Sequence, residues 1–260
     1  MAAVMGAKAR VSVAELAQMP GVWRGGELEN VVHAVVATGH AALDRELPGG
    51  GWPSGTLSEV LHDGVGIGEV SFLSAALARA SAGERMIGWI NPPYLPYAPA
   101  VAQSGMPLER CLVVRPANRE DALWAAEQAL RSGTCGALLF WLGAEKGNEY
   151  AALRRLQMAA AEGRTLAVFF RSSAAERLST PAHLRVVLAR EAGLLTLRIP
   201  KRRGPPLDSP IVLEGRHRHP IADRHPREAC PGNPQAGGGD PVPALVPAPQ
   251  RPRAVFSIVR

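Results

Sequence analysis

Cysteine is scarce in this 260-residue chain: Cys111, Cys135 and Cys230 stand alone, with no C-x-x-C pair among them. That density excludes a disulfide scaffold, and the thiols are expected to be reduced. Long apolar runs are also lacking. None approaches the roughly 20 residues of a membrane span, and Glu15 and Gln18 interrupt the stretch after Lys8 and Arg10 that would have to be apolar in a leader peptide. The expected address is therefore the cytoplasm, with no membrane contact. Hydrophobic residues make up 47% of the chain, enough to fill one substantial core with a tail beside it.

Basic residues exceed acidic ones, for a net charge of +6 and a pI near 9.8, which suits contact with nucleic acid or an acidic partner. The excess is unevenly placed. It concentrates at Lys201, Arg202 and Arg203, between Arg216 and Arg227, and between Arg251 and Arg260. The first cluster follows an expected core strand and is a candidate basic edge for nucleic acid or a partner. The others lie in a Pro- and Gly-rich segment from about Gly215, read as a disordered tail with at most nonspecific DNA contact. His217, His219, His225 and Cys230 match no tetrahedral zinc spacing, so no metal site is expected.

Alternating periods set the rest of the chain. Apolar spacing suggests a helix around Val13 to Ala17 and another over Glu27 to Ala37, with Trp23 as a packing anchor between them. His33 and His40 have no second ligand at i+4 and read as surface or satisfied histidines. Strands are expected at Leu57 to Leu61, Met86 to Ile90, Arg110 to Val114, Gly136 to Leu142 and Thr165 to Phe170. Helices should begin at Glu69, Ala98, Asn118 and Glu149. Asn118 with Asp121 three residues on is a capping pattern, and Leu123, Ala126, Ala129 and Leu130 give the helix that follows its inward stripe. The run Gly136 to Leu142 is too continuously apolar for a half-exposed strand and reads as interior and parallel. Glu191-Ala192-Gly193 between two apolar runs reads as a hairpin at one sheet edge. Strand–helix alternation up to Phe170 gives an α/β fold with a mainly parallel central sheet.

The stretch that organises these elements is Leu57 to Leu77: an apolar strand, then Gly64, Gly66 and Gly68 at alternate positions, then a helix carrying Phe72, Leu73, Ala76 and Leu77. Strand, Gly-rich loop and helix make the frame of a phosphate-binding loop. Such a loop uses backbone N–H groups to cradle phosphates, a Lys to reach them and a Ser or Thr to hold magnesium. Here the Lys position holds Glu69 and the hydroxyl position holds Val70, with Ser71 one residue further as a possible substitute. A dinucleotide fingerprint fails too, since the third glycine of G-x-G-x-x-G would fall at Glu69 and the second strand ends at Asn91 rather than an acid. Glu120, Asp121 and Glu127 read as caps and solvated faces.

Leu43-Asp44, Leu47-Pro48-Gly-Gly-Gly51-Trp52-Pro53-Ser-Gly55 and the Leu57 to Gly68 strand and loop resemble the lead-in of RecA-type ATPases. With Trp23-Arg24-Gly25, Leu112 to Pro116 and Gly136 to Leu142, the chain from Leu43 to Ile199 resembles more closely the ImuA proteins, which are grouped with SulA-like proteins. The resemblance implies a RecA-like P-loop NTPase-type fold over residues 43–214, preceded by a helical segment 1–42 and followed by the tail 215–260. It also implies an accessory role in translesion DNA synthesis beside ImuB, an inactive polymerase homologue, and an error-prone DnaE-type polymerase, with RecA as a further partner. Three departures from the ATPase pattern argue against hydrolysis: Glu69, Asn91-Pro92-Pro93 in place of a water-activating carboxylate, and Leu139-Phe140-Trp141 where a magnesium-orienting Asp is expected. The expectation is a protein with no catalytic residues and no cofactor. Two other readings stay open: a SulA-like inhibitor of the tubulin-like division protein, and an active nucleotide-dependent enzyme with an unusual loop.

Overall fold

The computed structural model describes residues 34–143, 149–204, 207 and 209–213, with the backbone of 255–258. The chain divides into two units, Met1–His33 and Ala34–Arg260. The first lies outside the described residues, and with it the expected helix near Val13, Trp23 and His33. The same holds for most of the expected tail, including its histidines and Cys230.

In the second unit the elements run β1 (Val35–Val36), α1 (Ala41–Glu46), β2 (Trp52–Pro53), β3 (Thr56–Leu61), α2 (Glu69–Ala80), β4 (Met86–Ile90) and α3 (Ala98–Gln103). They continue with β5 (Cys111–Arg115), α4 (Arg119–Arg131), β6 (Cys135–Trp141), α5 (Tyr150–Gly163), β7 (Leu166–Arg171), β8 (Leu184–Glu191), β9 (Leu194–Lys201), β10 (Ile211–Leu213) and β11 (Val255–Ile258). The described strands form a two-stranded β1–β2 ribbon and a nine-stranded sheet in the order β10-β9-β8-β3-β7-β6-β4-β5-β11. From β8 to β5 every neighbour is parallel, and β9, β10 and β11 add antiparallel edges. The fold is thus mixed α/β with a mainly parallel central sheet, as the alternation of periods indicates.

Parallel strands covered on both faces must be apolar on both, and β3, β6 and β7 are buried along their whole length. On one face Val60, Trp89, Leu139, Val168 and Phe170 pack beneath α2, where Phe72, Leu73, Ala76 and Leu77 are fully buried, and against Leu43 and Trp52. On the other face Leu57, Leu138, Phe140 and Phe169 meet Ala126 and Leu130 of α4 and Leu153, Leu156 and Ala160 of α5. Asn118 caps α4 as expected: its Oδ1 accepts the Asp121 N–H at 2.9 Å, and its amide reaches the Asp121 carboxylate at 3.0 Å. Gly136 permits the tight join of β6 to α2, because a Cβ there would lie 1.8 Å from the Ala80 carbonyl oxygen.

One expected element is corrected. The helix read over Glu27 to Ala37 does not extend through its described end, since Val35–Val36 form a strand paired with Trp52–Pro53. Two adjacent β-branched residues suit either an apolar helix stripe or an extended ribbon. The Gly-rich turn at Gly49 to Gly51, which brings Trp52 back beside Val36, decides for the ribbon. Within the segment read as tail, Val255–Ile258 forms a strand antiparallel to β5.

Candidate functional site

The site grows from the C-terminal ends of β3, β4, β6 and β7. After β3 the backbone turns through Gly64 and Gly66 and enters α2 from Gly68, which sits in the left-handed region at φ +104° as the N-cap. That conformation strains any residue with a Cβ. The loop is tied on several sides. His62 Nδ1 lies 2.8 Å from the Gly64 carbonyl oxygen, and Arg190 at the far end of β8 donates twice to the Ile67 carbonyl, at 3.2 and 3.0 Å. Asp63 accepts the Ser173 hydroxyl at 2.5 Å and the Ser173 N–H at 3.2 Å. Those two bonds, the hydroxyl first, hold the Asp63 carboxyl below the usual aspartate value.

Glu69 opens α2 with its side chain folded back into the loop. It is 6% exposed, Oε1 accepts the Gly66 N–H at 3.3 Å, and Oε2 accepts the Gly68 N–H at 3.1 Å. A carboxylate at a helix N-terminus is favourable in itself. Its consequence here is that the loop donors a phosphate would use are already engaged by an anionic group covalently part of the chain. Val70 packs against the core, and Ser71 is exposed at the site's edge.

Across from the loop, three aromatic rings stack over the strand ends. Trp89 and Trp141 lie 6.0 Å apart at 12°, and Trp141 and Phe170 lie 4.5 Å apart at 19°. Asn91, at φ +54°, hooks β4 to β6 by donating its amide to the Trp141 carbonyl at 2.9 Å. Pro92 and Pro93 follow. Gly66, Gly68, Glu69, Val70 and Ser71 share a cleft of about 210 Å³ with Trp89, Pro93 and Trp141. Glu69, Pro92, Pro93 and Trp141, which the sequence marks as departures from an ATPase pattern, therefore line one cleft.

The basic cluster is less available than its sequence suggests. Lys201 ends β9 and donates to the Thr180 carbonyl at 2.8 Å, and burial with Arg185 nearby holds its ammonium below the usual lysine value. Arg202 bonds the Glu46 carbonyl oxygen and reaches its carboxylate at 3.2 Å, pinning the end of α1. Arg203 lies beside it, half-buried. His40 is satisfied, stacked 5.6 Å from the Phe72 ring with Nε2 3.1 Å from the Phe72 carbonyl oxygen.

The sequence reading missed a buried ionic ladder. Glu59 of β3 is fully buried and holds Arg171 of β7 at 2.6 Å and Arg185 of β8 at 2.7 Å. Arg171 continues to Glu149 at 3.8 Å, and Glu149 pairs with Arg119. The available signal was Glu59 and Arg185 inside runs otherwise read as core, and Arg171 directly after another. Register supplies the rest, placing Arg185 directly opposite Glu59 and Arg171 opposite Leu61, two pairs further along.

Comparison with known proteins places the similarity on this part of the chain. Residues 55–167, from the turn before β3 into β7, match the family described as Cell division inhibitor SulA, which is less than half of the chain. Among solved structures, the crystal structure of SulA from Pseudomonas aeruginosa is 24% identical, covers 45% of this chain and 98% of its own, and superposes with a TM-score of 0.37. No curated protein matches the chain. Among the described residues no helix is long and apolar enough to cross a membrane.

Proposed function

We propose that this protein is a non-catalytic binding module of the bacterial DNA-damage response, a RecA-like P-loop frame that has exchanged nucleotide turnover for protein contacts. The observation that carries this reading is the Glu69 carboxylate on the N–H groups of Gly66 and Gly68. A triphosphate entering the loop would have to displace that carboxylate and then face its charge. The remaining tasks of hydrolysis would fall to Val70, Pro93 and Trp141, none of which can hold a metal or orient a water. In the ImuA reading the module is a cytoplasmic scaffold of error-prone translesion synthesis. It would work without a cofactor, with ImuB and a DnaE-type polymerase as partners, RecA as a further one, and nonspecific DNA contact through its basic tail.

A second reading has its own support. The family match over residues 55–167 favours a SulA-like inhibitor that would bind the tubulin-like division protein. Co-purification and bacterial two-hybrid assays of the full chain against ImuB, RecA and the division protein separate the two. Capture of ImuB, and not the division protein, is the expected result. Capture of the division protein alone would replace the scaffold reading with the inhibitor.

A further inference from the structure

β5 is the outermost of the parallel strands, with β4 on one side and β11 on the other. Without β11 its outer side would be an open edge, a row of backbone N–H and C=O groups that templates another strand. Little in β5 discourages such pairing. Cys111, Val113 and Val114 are buried, Leu112 is half-buried, and the one charge in the strand is Arg115 at its end. The cover comes from far along the chain, with Val255, Phe256, Ser257 and Ile258 set antiparallel opposite Arg115, Val114, Val113 and Leu112. That short run favours a strand by its β-branched and aromatic residues, and it follows a Pro- and Gly-rich sequence.

A cover of this kind is held weakly. The pairing spans four residues, and Pro116 after β5 and Pro252 before β11 limit its growth beyond Arg115, because neither can donate to a ladder. From β10 to β11 the chain crosses the whole sheet, eight strand spacings or about 38 Å. The 41 residues 214–254 have a reach of about 140 Å, so chain length does not fix β11 in place. Tethering alone gives such a strand an effective concentration on the order of 1 mM.

We propose that the β5 edge is a strand-docking site for extended apolar segments, and that Val255–Ile258 is its built-in occupant, a tethered strand that masks the edge and yields to a competing one. Backbone hydrogen bonds of antiparallel strand addition supply the recognition. The competing segment must be free of Pro and rich in β-branched and aromatic residues, as the resident strand is. Neither outcome of an ATPase assay bears on this site.

The test uses the full chain and a fluorescein-labelled peptide of residues 253–260, Arg-Ala-Val-Phe-Ser-Ile-Val-Arg. Binding is followed by anisotropy, and its place by hydrogen exchange of the backbone amides. In the full-chain variant Phe256→Pro/Ser257→Pro the resident strand cannot pair, since of two adjacent N–H groups in a strand one points to the neighbour. The expected result is saturable binding to this variant with Kd on the order of 100 µM, and binding about tenfold weaker to the wild type, where the tethered strand competes. Exchange over residues 111–115 should quicken about tenfold in the variant and slow again with the peptide, while β6 stays unchanged as the sign of an intact sheet. Phe256→Gly/Ile258→Gly keeps every N–H and lowers only the strand preference, so it should fall between the two. The same peptide with Pro in place of its Phe and Ser should not bind. Equal affinity for wild type and both variants, no binding to either variant, or protection at 211–213 instead of 111–115 would overturn the docking site. A wild-type dimer that the proline substitutions dissolve would overturn the tethered mask, making a second copy the occupant.

Discussion

Glu59 and Glu69 are both buried carboxylates, on the strand and the helix that flank one loop, yet they are held by opposite means. Glu59 is neutralised by two guanidinium groups brought to it by neighbouring strands. Glu69 has backbone N–H groups from its own loop, and its tie is local in sequence. The contrast separates architecture from site. The Glu59 ladder joins β3, β7 and β8, so its loss should be felt by the whole sheet. The Glu69 contact fills one loop, so its loss should be felt by whatever the loop could otherwise bind.

The comparison can be broken hardest by adding a third buried carboxylate that has neither kind of partner. Leu139 is fully buried in the interior strand β6. Leu139→Asp should leave no folded domain, because an unpaired buried charge costs several kcal/mol against a total stability of about 5–15 kcal/mol. Unchanged thermal stability in this variant would contradict the placement of β6. Next in size is Glu59→Ala, which strands Arg171 and Arg185. We expect a loss of about 3–5 kcal/mol and a fall in Tm on the order of 10 °C. Replacing Glu59, Arg171 and Arg185 together by Leu, Met and Met should recover most of it, and a triple variant as unstable as Glu59→Ala would show that the ladder acts through shape rather than charge.

Glu69→Gln should cost only about 1 kcal/mol, since the amide oxygen keeps one N–H partner. Chemical denaturation measures this, and a loss as large as that of Glu59→Ala would erase the distinction drawn between the two sites. Glu69→Lys removes the repulsion and adds a phosphate contact, so weak nucleotide binding should appear without turnover. Asp63 gives the smallest effect and a signed one. Its folded pKa lies below the ordinary 3.8, so its contribution is complete above that value and is lost as pH falls through the lowered one. Asp63→Asn should therefore flatten the acid limb of the stability curve below about pH 4, its small loss of stability being present at neutral pH and vanishing in acid. A steeper acid limb in the variant would reverse the assigned cause.

Much of this architecture could be read from residue order because it depends on local period. Leu57, Val60 and Leu61 followed by Gly64, Gly66 and Gly68 gave strand and loop, and Phe72, Leu73, Ala76 and Leu77 gave the helix face. Ala192 at φ +48° and Gly193 at φ +81° form the expected hairpin turn. The misreading of Val35–Val36 shows the limit, since an apolar pair does not reveal whether its partner is the next helical turn or Trp52 across a ribbon. The ladder was hidden for a related reason. Glu59, Arg171 and Arg185 meet only through strand order, and period carries no information on which strands are neighbours. For the site, sequence marked Glu69, Pro93 and Trp141 as misfits and left open where the Glu69 carboxylate turns. Its inward fold follows from the direction of the loop N–H groups, which exists only once Gly68 has adopted its left-handed conformation.

The central claim is that this loop has been closed to catalysis, and phosphate release from ATP with magnesium tests it most directly. The assay is run on the full chain through successive purification steps, with and without single-stranded DNA, beside Glu69→Lys and Ser71→Ala. The account predicts background rates in all of these, because among the described residues Ser71 is the one hydroxyl on the loop side of the cleft and no carboxylate lines the side opposite the loop. Turnover that follows the protein through purification and disappears in Ser71→Ala would contradict it.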